Sequence, residues 1–273
     1  MSFPSAERVK SLIWRNGRAE QEDRAVPAEM PIAFTYDGSA HAVMMASPSD
    51  LEDFAFGFSL NERIIDARSG IAALEIIAHE SGAELRIVLG EAERGNLARR
   101  RRRQAGPVGC GLCGIERLDD AMPNLPLVTS SLQITPGEII AGMRGLAPLQ
   151  KLNAETHAVH AAAFYVRGSG VIMLREDVGR HNALDKLAGA LAGNGIDSTQ
   201  GVILMTSRLS VELVQKAAIM GVPILAAISA PTALAIVQAE RAGVSIAGIV
   251  REDGLEIFTH AHRLVPELNI HAP

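Results

Sequence analysis

Cysteine is almost absent from this sequence: 273 residues contain two, Cys110 and Cys113. Two cysteines so close together cannot staple a disulfide framework, so a reducing cytoplasm is the expected compartment. No uninterrupted apolar run is long enough to span a bilayer, although 48% of the residues are hydrophobic, and no membrane association is expected. Met1-Ser2-Phe3-Pro4 lacks the charged-then-apolar pattern of a secretory signal. An excess of positive charge is missing too: the formal net charge is −5, which argues against a general nucleic-acid binder. Neither Gly-x-Gly-x-x-Gly nor a Walker pattern occurs, so no Rossmann or P-loop site is indicated. No internal repeat or low-complexity segment stands out.

What is present centres on Gly109-Cys110-Gly111-Leu112-Cys113-Gly114, which follows five arginines, Arg99 to Arg103. Cysteine is a nucleophile only as thiolate, and cations or open backbone N–H groups favour that form. Glycines permit tight turns and close approach of another group. The plain alternative is a small turn whose cysteines merely pack. The arginines read blandly as a solvated loop, or as an attractor for an anionic cofactor or acidic partner. A structural zinc site needs four ligands, and His157 and His160 lie far downstream at unusual spacing. A zinc deaminase needs His-x-Glu upstream of Pro-Cys-x-x-Cys, and neither His41 nor His79 has Glu two positions on. A thioredoxin-like pair opens a helix, whereas this pair follows Gly106-Pro107. A thiol that carries or relays sulfur fits: it attacks a donor and holds the sulfur as a persulfide, and a neighbouring thiol assists release.

Along the chain, residues 1–25 read as a loose polar leader and 26–90 as a small α+β unit. Pro31 to Tyr36 and Ala40 to Met45 form a hairpin at Asp37-Gly38. Ser47 to Asp50 cap a helix with Leu51, Phe54, Ala55 and Phe58 on one face. Ile71 to Ala78 and Glu84 to Leu89 pair as strands. Residues 91–134, most of them without apolar periodicity, read as a mobile loop carrying the cysteine pair. Residues 135–273 alternate strands with helices, which predicts a three-layer α/β domain with a mixed, largely parallel sheet covered on both faces.

Ligands of open α/β sheets sit beyond the carboxyl ends of the strands. Four such ends are polar. The first carries Arg180 and His181 at a helix start, where a bound anion would stabilise cations, or where Glu176 or Asp177 would pair with them. The second carries Ser207, Arg208 and Ser210, suited to phosphate or, for the serines, to plain capping. The third has Ser229 and Thr232, with Pro231 at a helix start. The fourth is Ile249, Val250, Arg251, Glu252, Asp253 and Gly254. Three arginines along one sheet edge point to a large phosphorylated ligand, a nucleotide.

These residues carry a resemblance. Cys110-Gly111-Leu112-Cys113-Gly114 and the longer block from Arg175 to Lys186 resemble the FdhD family of formate dehydrogenase accessory sulfur carriers. Ser207 to Ser210, Glu212 to Lys216, Ser229 to Thr232, Thr259-His260, Met44 to Asp50 and Gly57 to Ile65 are similar as well. Two departures are visible: His157-Ala158 replace glycines before Val-His, and Ile249 replaces an aromatic residue. The resemblance implies a cytoplasmic homodimeric sulfurtransferase that takes persulfide sulfur from a cysteine desulfurase. It would pass that sulfur to the molybdenum bis(guanine dinucleotide) cofactor of formate dehydrogenase, with GDP as an analogue of the bound substrate and no metal held by the protein itself. Cys110 would carry the sulfur, Cys113 would assist, and Ile249 to Gly254 would contact the cofactor. It also implies a second domain like the cytidine deaminase fold without its zinc site. Two other classes stay open: a non-catalytic chaperone for the molybdenum cofactor and a small zinc-binding interaction protein.

Overall fold

The computed structural model describes residues 3–95 and 123–266. It opens with an antiparallel ribbon of two strands, β1 (Ala6–Arg15) and β2 (Arg18–Pro27). The turn is Asn16-Gly17, both at positive φ, 52° and 77°, as tight hairpins of the primed type require. A loose leader over residues 1–25 is thus corrected to two ten-residue strands. Charged residues occupy both faces of the ribbon, which blurs the two-residue period a strand normally shows.

A four-stranded sheet follows, in the order β4-β3-β6-β5. Its strands are β3 (Met30–Tyr36), β4 (Ser39–Ala46), β5 (Ile71–His79) and β6 (Gly82–Leu89). Helix α1 (Leu51–Asn61) covers one face. Phe34 stacks against Phe58 at 4.2 Å and meets Phe54 edge-on at 5.0 Å, so the aromatic stripe of α1 is core. Capping of α1 differs from expectation. Asp50 takes the N-cap in a left-handed conformation, φ 54°, without a side-chain cap bond, and Ser47 turns into the interior.

The remaining elements are α2 (Pro136–Arg144), α3 (Lys151–Thr156), β7 (His160–Val166), β8 (Gly170–Asp177), α4 (Arg180–Gly193), β9 (Val202–Met205), α5 (Val211–Ile219), β10 (Ile224–Ala227), α6 (Ala233–Ala242), β11 (Ser245–Arg251) and β12 (Gly254–Ile257). The six strands lie in the order β12-β11-β10-β9-β7-β8. β9, β10 and β11 are mutually parallel, whereas β7 runs against both β9 and β8, and β12 against β11. Every residue of β9 and β10 is buried, as expected of strands covered on both faces. One face carries a core of Leu184, Leu187, Val214 and Leu225, the other a core of Ile139, Leu204 and Val250. Mobility up to residue 134 is not what the structure shows. Val128 N–H donates to the Ala242 carbonyl at 2.8 Å and Ile134 N–H to that of Arg263 at 2.9 Å, and the Arg263 side chain binds the carbonyls of Val128 and Gly243. Among the described residues no helix is long and apolar enough to cross a membrane.

The two sheets are joined through α1 and α4. A Cβ on Gly57 would lie 1.7 Å from the Asp185 carbonyl oxygen, and one on Gly189 would lie 1.9 Å from that of Asp53. The helices therefore touch backbone to backbone, which only glycine permits. Beside this contact Lys186 Nζ meets Asp177 Oδ2 at 2.6 Å with both side chains fully buried. Lys186 also donates to the Ser47 carbonyl, at 2.9 Å. Asp177 accepts from the backbone of Ser47 and Gly179 and from Asn182 Nδ2. Every partner that an isolated buried pair would lack is supplied here. Close by, Lys216 Nζ meets both Asp185 oxygens at 2.6 Å, and Asn61 Nδ2 donates to Asp185 Oδ1 at 2.7 Å.

Lys186→Met would strand the Asp177 carboxylate, and a loss of about 3–5 kcal/mol is expected from urea unfolding. Gly57→Ala must push two backbones apart and is expected to remove about 3 kcal/mol. Gly38, with open space around it, provides a contrast whose replacement strains the turn but not the helix contact.

Candidate functional site

The strand directions decide where the polar ends fall. β8 is antiparallel to β7, and β7 to β9, so β8 ends on the same edge as β9, β10 and β11. The start of β7 and the β11–β12 turn fall there too. This edge brings together Arg180 and His181 after β8, Ser207 and Arg208 after β9, Ser229 and Thr232 after β10, and Ile249 to Gly254 at the end of β11. From the end of β11 to that of β8 there are four inter-strand steps, a span of roughly 19 Å at about 4.8 Å per step. Cys110, Cys113 and the arginine run lie outside the described residues.

The loops along the edge are tied to one another. Thr232 N–H donates to the Leu209 carbonyl at 2.9 Å, and Ile249 N–H to that of Ser229 at 3.3 Å. The Arg251 guanidinium binds the carbonyls of Ile228 and Val250, so an exposed cation is held at the ends of two strands. Arg208 is exposed. Three expected ligand residues are placed otherwise. Ser207 is 4% exposed and donates to the Arg208 carbonyl. Val250 is 3% exposed and belongs to the core, leaving only its backbone to face a ligand. Thr232 caps α6, its hydroxyl accepting from Ala235 N–H at 3.3 Å, the plain reading of that residue.

Two backbone positions match the departures seen in the sequence. His157 sits at φ 54° after α3, in the left-handed region where glycine is the unstrained choice. Ile249 has φ 51° where the β11–β12 register shifts, and a β-branched residue there is an outlier. Gly248 beside it is packed closely: a Cβ would lie 2.9 Å from Phe258 and 3.0 Å from Pro231. Strain of this kind collects at ligand clamps and switches.

At the other end of the edge, Arg180 does not take the expected carboxylates. Glu176 accepts from the Leu152 and Asn153 amides of α3 at 2.9 and 2.8 Å, and Asp177 belongs to Lys186. The Nε of Arg180, the hydroxyl of Ser210 and Oε2 of Glu212 are buried without hydrogen-bond partners among the described residues. Burial pushes the His181 imidazole down to about 4, Lys216, Arg180 and His160 add repulsion, and Glu212 opposes them. Burial also lowers His160, opposed by the hydrogen bond its ring donates to the Thr206 backbone carbonyl. A neutral imidazole beside an arginine, at the start of α4, is a place where an anion gains donors and loses little. The sequence weighed His160 only as a zinc ligand, Thr206 only as the start of the second polar strand end and Glu212 only within the family-like stretch Glu212 to Lys216; none of the three was assigned to this end of the edge. Their signal was present only as position, since His160 opens a strand that runs opposite to its neighbours. Among the described residues no group of three or more metal-ligating side chains occurs.

The His181 assignment has a definite pH signature. Its folded value lies below the ordinary 6.5, so the unfolded chain takes up the proton first. Stability from this group is complete above pH 6.5 and is lost as the pH falls towards 4. By NMR the His181 ring is expected to remain neutral at pH 5.5, and His181→Gln to flatten the loss of stability between pH 6.5 and 4. A ring titrating near 6.5 would contradict the burial described.

Comparison with known proteins agrees with this architecture. The FdhD/NarQ family model matches residues 27–265. The sulfur carrier protein FdhD of Agrobacterium fabrum is 53% identical over 264 residues, covering 96% of this chain and 97% of that protein. Its counterpart in Brucella abortus is 49% identical, over 94% and 96%. The crystal structure of a protein assigned as a formate dehydrogenase accessory protein, from Desulfotalea psychrophila, superposes with a TM-score of 0.76 at 24% identity, covering 96% of this chain and 100% of that one; at that identity the likeness speaks for the fold alone. A match from the last residue of β2 to beyond the six-stranded sheet, with relatives of nearly the same length, leaves one assignment: the chain belongs to the FdhD/NarQ family.

Proposed function

We propose that this protein is a cytoplasmic sulfur carrier that loads Cys110 with sulfane sulfur and delivers it to a guanine dinucleotide cofactor of molybdenum, bound as substrate along the carboxyl edge of the six-stranded sheet. The observation that carries the reading is the 53% identity to a sulfur carrier protein in a chain whose two cysteines share one short glycine-rich stretch of sequence. In loading, the Cys110 thiolate attacks the terminal sulfur of a donor persulfide. One S–S bond forms, another breaks, and the donor leaves as thiolate, so no external oxidant or reductant is needed. Cys113 assists release. A cysteine desulfurase is the donor, formate dehydrogenase the protein that uses the product, and the working unit is a homodimer.

The sheet edge supports the second half of the reading. Arg180, Arg208 and Arg251 stand along it, with the N-termini of α4 and α5 between them. A span of roughly 19 Å suits a dinucleotide whose phosphates meet guanidinium groups and open amides. Ile249 to Gly254 form the end that closes on the base or sugar, and the strained Ile249 backbone marks where the hairpin holds its shape.

Two measurements test this. Intact mass after incubation with a cysteine desulfurase and cysteine is expected to show one added sulfur, absent from Cys110→Ala and retained in Cys113→Ala, whose onward transfer is reduced. Calorimetry is expected to show GDP bound by Cys110→Ala as by the wild type, and bound about tenfold more weakly by Arg208→Ala or Arg251→Ala, the loss of one charge-assisted contact. Sulfur found on Cys113 alone would exchange the two roles. Formate dehydrogenase activity supported by Cys110→Ala would replace the carrier by a cofactor-holding chaperone.

A further inference from the structure

One end of the sheet edge holds a negative charge that phosphate binding does not use. Glu212 lies in the first turn of α5, close enough to His181 to act on its ring, as Arg180 does. An acid there suits the helix dipole, which accounts for its presence but not for its surroundings. Oε2 of Glu212 and Nε of Arg180 are both buried, and neither has a hydrogen-bond partner among the described residues. The charges around them are engaged elsewhere. Lys216 Nζ holds both oxygens of Asp185 at 2.6 Å, and Lys186 holds Asp177. Glu176 accepts from the amides at the start of α3.

A buried donor and a buried acceptor left open in one cluster restrict what can complete it. Phosphate offers acceptors only, and the carboxylate repels it. An ammonium group offers donors only, and the guanidinium repels it. A neutral ring with an oxo group beside ring and amino N–H groups meets both needs. Its oxo oxygen accepts from Arg180, and its two N–H groups donate to Glu212. That edge belongs to 2-amino-4-oxopyrimidines, fused as guanine or as a pterin. The imidazole of His181, which burial pushes down to about 4, is neutral beside such a ring and can donate or accept.

Position along the edge chooses between the two rings. In the cofactor reading above, on which this inference rests, Ile249 to Gly254 close on the guanosine, and Arg208 and the start of α5 meet phosphate. The end of β8, which leads to Arg180, lies two inter-strand steps beyond β9, roughly 10 Å at about 4.8 Å per step. In a molybdenum dinucleotide the diphosphate joins the guanosine to a pterin that holds the metal, so the pterin is the part that reaches this end. We infer that Arg180 and Glu212 form a subsite for the pterin ring, Glu212 accepting from its ring N–H and amino group and Arg180 donating to its oxo oxygen. Arg208 and Arg251 remain for the diphosphate.

The test is fluorescence titration of the full-length protein, held at saturating GDP, with 6-hydroxymethylpterin and with 6-hydroxymethyllumazine, in which a 2-oxo group replaces the 2-amino group. The wild type is expected to bind the pterin about tenfold or more tightly than the lumazine, the worth of one hydrogen bond to a charged group. Glu212→Gln is expected to reverse that order, because a carboxamide donates to the 2-oxo group where a carboxylate repels it. A reversed preference cannot come from a chain that fails to fold. Arg180→Met is expected to weaken both ligands about tenfold. An unchanged preference in Glu212→Gln, or a wild type that binds GDP but neither ring, overturns the subsite and leaves the cofactor edge standing. A switch from GDP to XDP in Glu212→Gln, read by calorimetry, places the guanine here and overturns the assignment to the pterin. A wild type that binds no GDP refutes the cofactor reading itself, and the subsite with it.

Discussion

The buried contact between Lys186 and Asp177 is the constraint on which the rest depends. Two charges removed from water repel the fold unless each finds nearly all its hydrogen-bond partners. Here the partners come from both halves of the chain: the backbone of Ser47 from the N-terminal unit, and Gly179 and Asn182 from the C-terminal one. The pair therefore forms only when the halves are docked. It also fixes the direction in which the chain leaves β8, because Asp177 is the last residue of that strand. Arg180 and His181 follow within one turn. What looks like a stabilising pair thus aims the first cations of the candidate site.

The same block explains why a long run of recognisable residues need not all touch ligand. Between Arg175 and Lys186, Arg175 pairs with Asp53, Glu176 holds the start of α3, and Asp177, Asn182 and Lys186 form the cage. Asp185 takes Lys216 and Asn61. Among the described residues, Arg180 and His181 alone of the charged and aromatic members show no such engagement, and both lie on the edge. Thr259 and Arg263 are structural in the same sense, the first holding β11 and the second the segment after residue 123.

Much of the fold was legible because its elements announce themselves locally. Asp37-Gly38 marks a hairpin, the phenylalanines of α1 share a face, and the apolar runs of β9 and β10 demand cover on both sides. The edge was legible as well, since polar residues at the ends of apolar strands have few other reasons to cluster. The ribbon was not, although Asn16-Gly17 carried the turn signal, because charges on both of its faces masked the alternation. Ser47 was misread as a cap because its partner, Asp177, is 130 positions away. His160 was weighed only as a zinc ligand, because its place on this edge comes from the reversed direction of β7, which no local pattern records. Ile249 shows the converse: the sequence marked the position as unusual, and the backbone there is left-handed, which does not explain why isoleucine stands in place of an aromatic residue.

The central claim is that ligand binds along the carboxyl edge of the six-stranded sheet, held in place by the cage behind it. Hydrogen–deuterium exchange with and without saturating GDP reads this most directly, because it reports every backbone amide at once. Protection confined to residues 179–182, 207–211, 229–233 and 249–254, with the four-stranded sheet unchanged, is the predicted result. Protection centred on the four-stranded sheet or the ribbon, with those four segments unaltered, would contradict the account.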